Sequence, residues 1–130
     1  MASEDEQKAI EGEFLKSWDK LQFLFEWYTN PSNVEFMKPM LTFIAELRNG
    51  GYDRKLRAGS SLYTFVLSRS REWGLRQGQA NLNFRINHLG SMEVSYRESD
   101  NYASNFEVER VEITPEIEAL LTRLLAQPID

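Results

Sequence analysis

Apolar residues recur at spacings of three and four through the first third of the chain and at a spacing of two through most of the rest. The chain is therefore expected to open with helices and continue as sheet. Ile10, Phe14, Trp18, Leu21, Phe25 and Tyr28 mark one face of a helix that is under way by Ile10 and is stopped by Asn30-Pro31-Ser32. Residues 1–8 are polar, lack this pattern and are expected to be disordered. Phe23 and Trp27 fall on nearly the opposite side of the same helix, which makes its second half apolar on two sides. A second helix is expected over 34–48, with Pro39 tolerated in an irregular first turn and Asn49-Gly50-Gly51 at its end. It also carries two stripes, Phe36, Met40, Phe43 and Leu47 on one side and Met37, Leu41 and Ile44 on the other.

From about residue 57 the period falls to two. The clearest strand is 80–87, where Ala80, Leu82, Phe84 and Ile86 alternate with Asn81, Asn83, Arg85 and Asn87. An earlier strand over Ser61–Ser68 is apolar on both faces and is expected to lie centrally under a helix. His88-Leu89-Gly90 turns the chain into an alternating strand at 92–96. A last strand at 105–113 changes phase between Phe106/Val108 and Val111/Ile113, the pattern of a bulge near Glu109-Arg110. Thr114-Pro115-Glu116 then opens a final helix, with Thr114 as its cap and Ile117, Leu120, Leu121, Leu124 and Leu125 on one side. The expected fold is α+β in one domain spanning 1–130: an N-terminal helical hairpin, a four-stranded antiparallel meander and a C-terminal helix packed on the sheet.

With 130 residues, 42% of them hydrophobic and 16 aromatic, the chain can bury one core without covalent staples. It has no cysteine, so disulfides and thiolate zinc cages are excluded. The lack of a leading apolar segment, of an apolar run near 18 residues and of a glycosylation sequon points to a soluble cytoplasmic protein without a membrane partner.

Charge is segregated. Residues 54–85 carry seven basic side chains against Glu72, while the rest of the chain is acidic and the whole is −5. The acidic average argues against nucleic acid as the partner but leaves room for a local anion contact through the basic stretch. Within it, Arg69, Arg71, Trp73 and Arg76 form the densest group of binding-competent side chains, since guanidinium forks suit oxyanions and a tryptophan can anchor a partner. The competing reading is internal, with the arginines neutralised by acids of the same molecule and Trp73 capping the core. Phe23 and Trp27 likewise either pack against the second helix or remain outside as an interface, for another protein or for a second copy of the chain.

No catalytic, metal or cofactor residue is assigned. His88 stands alone in a turn, and Glu107, Glu109 and Glu112 read as edge-strand solubility rather than as an acid–base or metal set. Gly50-Gly51 and Gly74-x-x-x-Gly78 match no phosphate loop. The leading expectation is a non-catalytic adaptor or regulatory protein that binds another protein through its aromatic helix faces and the 69–79 loop. The alternative is a small-ligand module with an aromatic pocket between sheet and helices, lined by Tyr63, Phe65, Phe84 and Tyr96.

Overall fold

The computed structural model describes residues 3–29, 38–72, 75, 77–98 and 102–130. Helix α1 runs Glu4–Thr29 and α2 Lys38–Asn49, followed by a short 3-10 turn at Tyr52–Arg54. Five strands follow, β1 Arg57–Ser61, β2 Thr64–Ser68, β3 Asn81–Ile86, β4 Met92–Arg97 and β5 Ala103–Val108, and α3 spans Pro115–Leu125. The strands form one sheet in the order β1-β2-β3-β4-β5, each antiparallel to its neighbour. The fold is α+β, with five strands where the period-two pattern predicts four.

The additional strand is β1, which lies largely ahead of the expected 61–68 strand; of that segment only Thr64–Ser68 continues as β2. Leu62 and Tyr63 form a tight turn, and Leu62 occupies the left-handed region at φ 56°. Arg57–Ser61 pairs back on Thr64–Ser68, with Ala58 opposite Leu67 and Ser60 opposite Phe65. The composition of β1, Arg-Ala-Gly-Ser-Ser, offers one apolar side chain, so its strand state is imposed by pairing with β2 and by contact with α1 rather than by its own propensity. The other half of the expectation holds, because β2 lies inside the sheet between β1 and β3.

Two further boundaries differ from the sequence pattern. Helix α1 begins at Glu4, so residues 4–8 are helical rather than disordered. Ser3 accounts for this: its hydroxyl accepts from the Glu6 amide at 3.2 Å and its carbonyl from the Gln7 amide at 2.9 Å. Glu4, Asp5 and Glu6 lie beside the positive helix end. At the other end of the sheet β5 stops at Val108, and its ladder with β4 is unbroken from Arg97/Ala103 to Met92/Val108. No bulge interrupts it. The phase change arises because the chain bends at 109–112 and leaves the sheet, bringing Val111 and Ile113 half-buried against the core.

One face of the sheet is covered. Phe65, Leu67, Leu82, Phe84, Val94 and Tyr96 point toward the helices and share one core with Trp18, Phe25, Phe43, Leu47, Ile117 and Leu121. The Phe65 and Phe84 rings lie 5.6 Å apart, with Phe43 4.9 Å from Phe84 and Trp18 5.5 Å from Phe65. Helix α2 is apolar on one side only, since Met40, Phe43, Ile44 and Leu47 are all buried and Leu41 is half-buried at the edge of that stripe. Phe36 and Met37, and with them the expected helix start at 34–37, lie outside the described residues.

Polar bonds fix the layers to each other. The Trp18 indole N–H donates to the Leu56 carbonyl at 2.8 Å, and the buried Ser17 hydroxyl donates to Phe14 O and accepts from the Ala58 amide at 2.9 Å. Arg48 ties α2 to Asp19 of α1 at 2.9 Å and to Asp53 at 3.0 Å. Burial works against its charge, but bonds to these two carboxylates outweigh it and raise the guanidinium pKa above the ordinary arginine range. At α3, the Thr114 hydroxyl accepts from the Ile117 amide at 3.2 Å, with Pro115 following as the sequence requires. Arg123 grips Glu98 through two bonds, at 2.6 and 2.9 Å.

Candidate functional site

Helix α1 turns one stripe into the core and leaves the opposite one in solvent. Phe14, Trp18, Leu21 and Phe25 are buried, whereas Phe23 is 72% and Trp27 62% exposed. The two exposed rings are four residues apart and hence neighbours on the helix surface. Tyr28 joins them to the β1–β2 turn, its ring lying 5.8 Å from Trp27 and 4.8 Å from Tyr63, with its hydroxyl reaching Leu62 O at 3.4 Å. In that turn Leu62 is 82% and Tyr63 42% exposed. Phe23, Trp27, Tyr28, Leu62 and Tyr63 thus form an aromatic edge built from one helix end and one hairpin tip.

The 69–79 loop is divided. Arg69 is an internal tie: its Nε donates to Gln127 O at 3.1 Å and its Nη1 to Lys55 O at 2.9 Å, and burial lowers its pKa from the ordinary value. Its guanidinium is spent on backbone carbonyls of its own chain rather than presented to a partner. Arg71 is exposed, and its position is set by its amide, which donates to Asp130 O at 3.0 Å. Trp73 and Arg76 lie outside the described residues. Leu75 lines a small cleft of about 260 Å³ over Gly59 and Val66 on the outer side of β1 and β2.

A second basic constellation was not visible as a unit in the sequence. Glu13, Lys16, Ser17 and Lys20 share one face of α1, and that face borders a cleft of about 480 Å³ whose other walls are Arg57, Arg71 and Glu72. Arg57 is 9% exposed. Its Nε donates to Ser70 O at 2.8 Å, its Nη2 donates to Arg71 O at 2.6 Å, and its guanidinium carbon stands 5.6 Å from the Phe14 ring centroid. Desolvation lowers its pKa, partly offset by the field of Glu13. The only sequence signal is the stripe of charge on α1 at spacings of three and four, and nothing local in the sequence links it to residue 57.

Of the residues expected to line an aromatic pocket, Phe65, Phe84 and Tyr96 are fully buried. Phe65 and Phe84 pack with other core rings. The Tyr96 hydroxyl donates to Glu98 at 2.5 Å, and burial together with that carboxylate keeps it protonated well above the usual phenol range. Tyr63 sits apart from them in the turn. None of the clefts described here is lined by the three buried rings. A larger hollow, of about 770 Å³, lies on the outer face of the sheet and is polar: Asn81, Asn83, Arg85, Glu93, Ser95, Arg97, Asn105 and Glu107 line it. Several of these are bonded to one another: Arg85 to Glu93 across β3 and β4 at 2.6 Å, and Asn83 to Asn81 along β3 at 2.5 Å. The bond from Arg85 chiefly holds the Glu93 carboxyl below its ordinary pKa.

His88 is exposed in the β3–β4 turn, and Glu107 accepts from the Asn87 side-chain Nδ2 at 2.7 Å. Among the described residues no group of three or more His, Asp or Glu side chains is placed to hold a metal, and no helix is long and apolar enough to cross a membrane. Comparison of the chain with models of protein families, with curated proteins and with solved structures finds no match in any of the three.

Proposed function

We propose that the chain is a non-catalytic protein-binding module, adaptor or regulatory in kind, that docks through the aromatic edge of Phe23, Trp27, Leu62 and Tyr63. The observation that carries this reading is the exposure of Phe23 and Trp27, 72% and 62%, on a helix whose opposite face fills the core. Large apolar side chains scattered singly on a surface are ordinary, but several gathered in one place mark a contact. Tryptophan and tyrosine are also the residues that most often anchor interfaces, because they bury much area with few rotatable bonds. The internal bonds of Arg69 remove it from the docking surface and leave the helix edge as the basis of the proposal.

The test is a Phe23→Ser/Trp27→Ser double variant compared with the parent in sedimentation equilibrium and in quantitative pull-down from the native cell. Loss of a stoichiometric partner, with an unchanged melting temperature, supports the reading. Loss of self-association alone identifies the partner as a second copy, and an unchanged set of partners and unchanged mass overturn it.

A second reading, a small-ligand module, draws on the polar hollow of about 770 Å³ on the outer face of the sheet. Its ligand would be a polar solute held by amide and hydroxyl groups, not an apolar one among core rings. Saturable NMR shifts confined to Asn83, Ser95, Arg97 and Asn105 in a screen of polar metabolites would favour it over the first.

A further inference from the structure

Buried arginines in folded proteins are normally paired with carboxylates, because removing a charge from water without a counter-charge is costly. Arg57 departs from that rule. It is 9% exposed, yet both of its hydrogen bonds go to backbone carbonyls, of Ser70 and Arg71, and it forms no ion pair among the described residues. A guanidinium has five N–H groups, and those two bonds, from Nε and Nη2, use two of them. No buried side-chain nitrogen in the described structure lacks a partner, so the unbonded Nη1 is accessible, and the cleft is bordered by Arg57 itself.

The same cleft gathers further positive charge. Lys16, Lys20 and Arg71 line it with Arg57, against Glu13 and Glu72. The Arg71 side chain forms no ion pair among the described residues, and Lys16 makes one loose contact with Glu13 at 3.6 Å, both side chains being exposed. The arrangement is rigid at its base. The two carbonyls and the Phe14 ring hold the Arg57 fork, and the 69–71 segment is fixed from its other side by bonds between Arg69 O and Asp130 N and between Arg71 N and Asp130 O. A preorganised guanidinium beneath exposed cationic side chains is the arrangement that recognises oxyanions by geometry as well as by charge.

We infer that the cleft between α1 and the 70–72 segment is a binding site for a phosphate-sized dianion, either free phosphate or the phosphate group of a small monoester. Arg57 supplies the fixed donors at the base, Arg71 a second fork at the rim, and Lys16 the remaining charge. The site is separate from the aromatic edge and does not depend on the protein-binding reading.

Isothermal titration of the intact chain with inorganic phosphate and with glycerol phosphate, at constant ionic strength, tests the site, with amide shifts recorded in parallel. The expected result is saturable binding with shifts at residues 16–20, 57–58 and 70–72. Arg71→Gln, an exposed change that leaves the fold intact, weakens binding about tenfold through loss of a charge-assisted contact. Arg57→Lys keeps the charge but not the fork and weakens it further; should that variant fold poorly, the Arg71→Gln result stands alone. Tighter binding of the monoester assigns the site to phosphate esters, and equal binding assigns it to the free anion. Absence of saturation by both ligands overturns the inference, as does binding that chloride reproduces at equal ionic strength or that Arg71→Gln leaves unchanged.

Discussion

Trp18 and Trp27 lie nine residues apart on one helix and meet opposite fates. Trp18 is fully buried, edge-on to Phe65, with its indole N–H bonded to the Leu56 carbonyl, whereas Trp27 is 62% exposed and touches only the flank formed by Tyr28 among the ring contacts described. Helical phase alone separates them: nine residues advance the helix by about 900°, which is half a turn beyond two full turns. The same side chain therefore serves the core in one position and the surface in the other. What differs is the neighbour each ring meets, so changes at the two positions are expected to act on the core and on the exposed edge separately.

Removing the buried ring is expected to have the largest effect. Trp18→Ala should cost about 3–5 kcal/mol through lost burial and an unfilled cavity, read as a shift of the urea midpoint at constant slope. A loss below about 1 kcal/mol would mean that the ring is not the centre of the α1–sheet contact. Trp18→Phe retains most of the ring and isolates the bond to Leu56 O, for which a loss of about 2 kcal/mol is expected because that carbonyl is left buried and unsatisfied. Ser17→Ala removes the neighbouring link between α1 and β1 and should cost about 1–2 kcal/mol by the same measurement. Trp27→Ser lies at the small end, within about 0.5 kcal/mol of the parent. Its effect should appear in partner capture instead, and a stability loss comparable to that of Trp18→Phe would erase the contrast between the two rings.

The parts of the fold that were legible in the sequence are those in which one side chain pattern decides the outcome. Alternation in β3 and β4 and the Thr114-Pro115 start of α3 needed no knowledge of the rest of the molecule. β1 was not legible because Ala58, Gly59, Ser60 and Ser61 carry almost no pattern, and its state follows from its partner strand. The end of β5 departs from the pattern because Val111 and Ile113 remain apolar after the chain has left the sheet, and a period cannot distinguish a bend from a bulge. Phe23 and Trp27 stood out in the sequence, but whether a second helix covered them depended on the orientation of α2. Arg57 was hidden for the opposite reason, since a charged residue in a basic stretch reads as surface until its carbonyl partners are seen.

The tip of the β1–β2 hairpin carries a leucine where a glycine or asparagine would fit better. At φ 56° Leu62 bears backbone strain on the order of 1–2 kcal/mol, and with 82% of its surface exposed it gains little from burial to offset this. A glycine would relieve that strain at little cost in burial. Leu62→Gly should therefore raise the melting temperature by relieving that strain and, on the proposed docking reading, weaken capture in the pull-down. The hairpin tip is thus held away from its conformational optimum, at the same place where the chain exposes its aromatic edge.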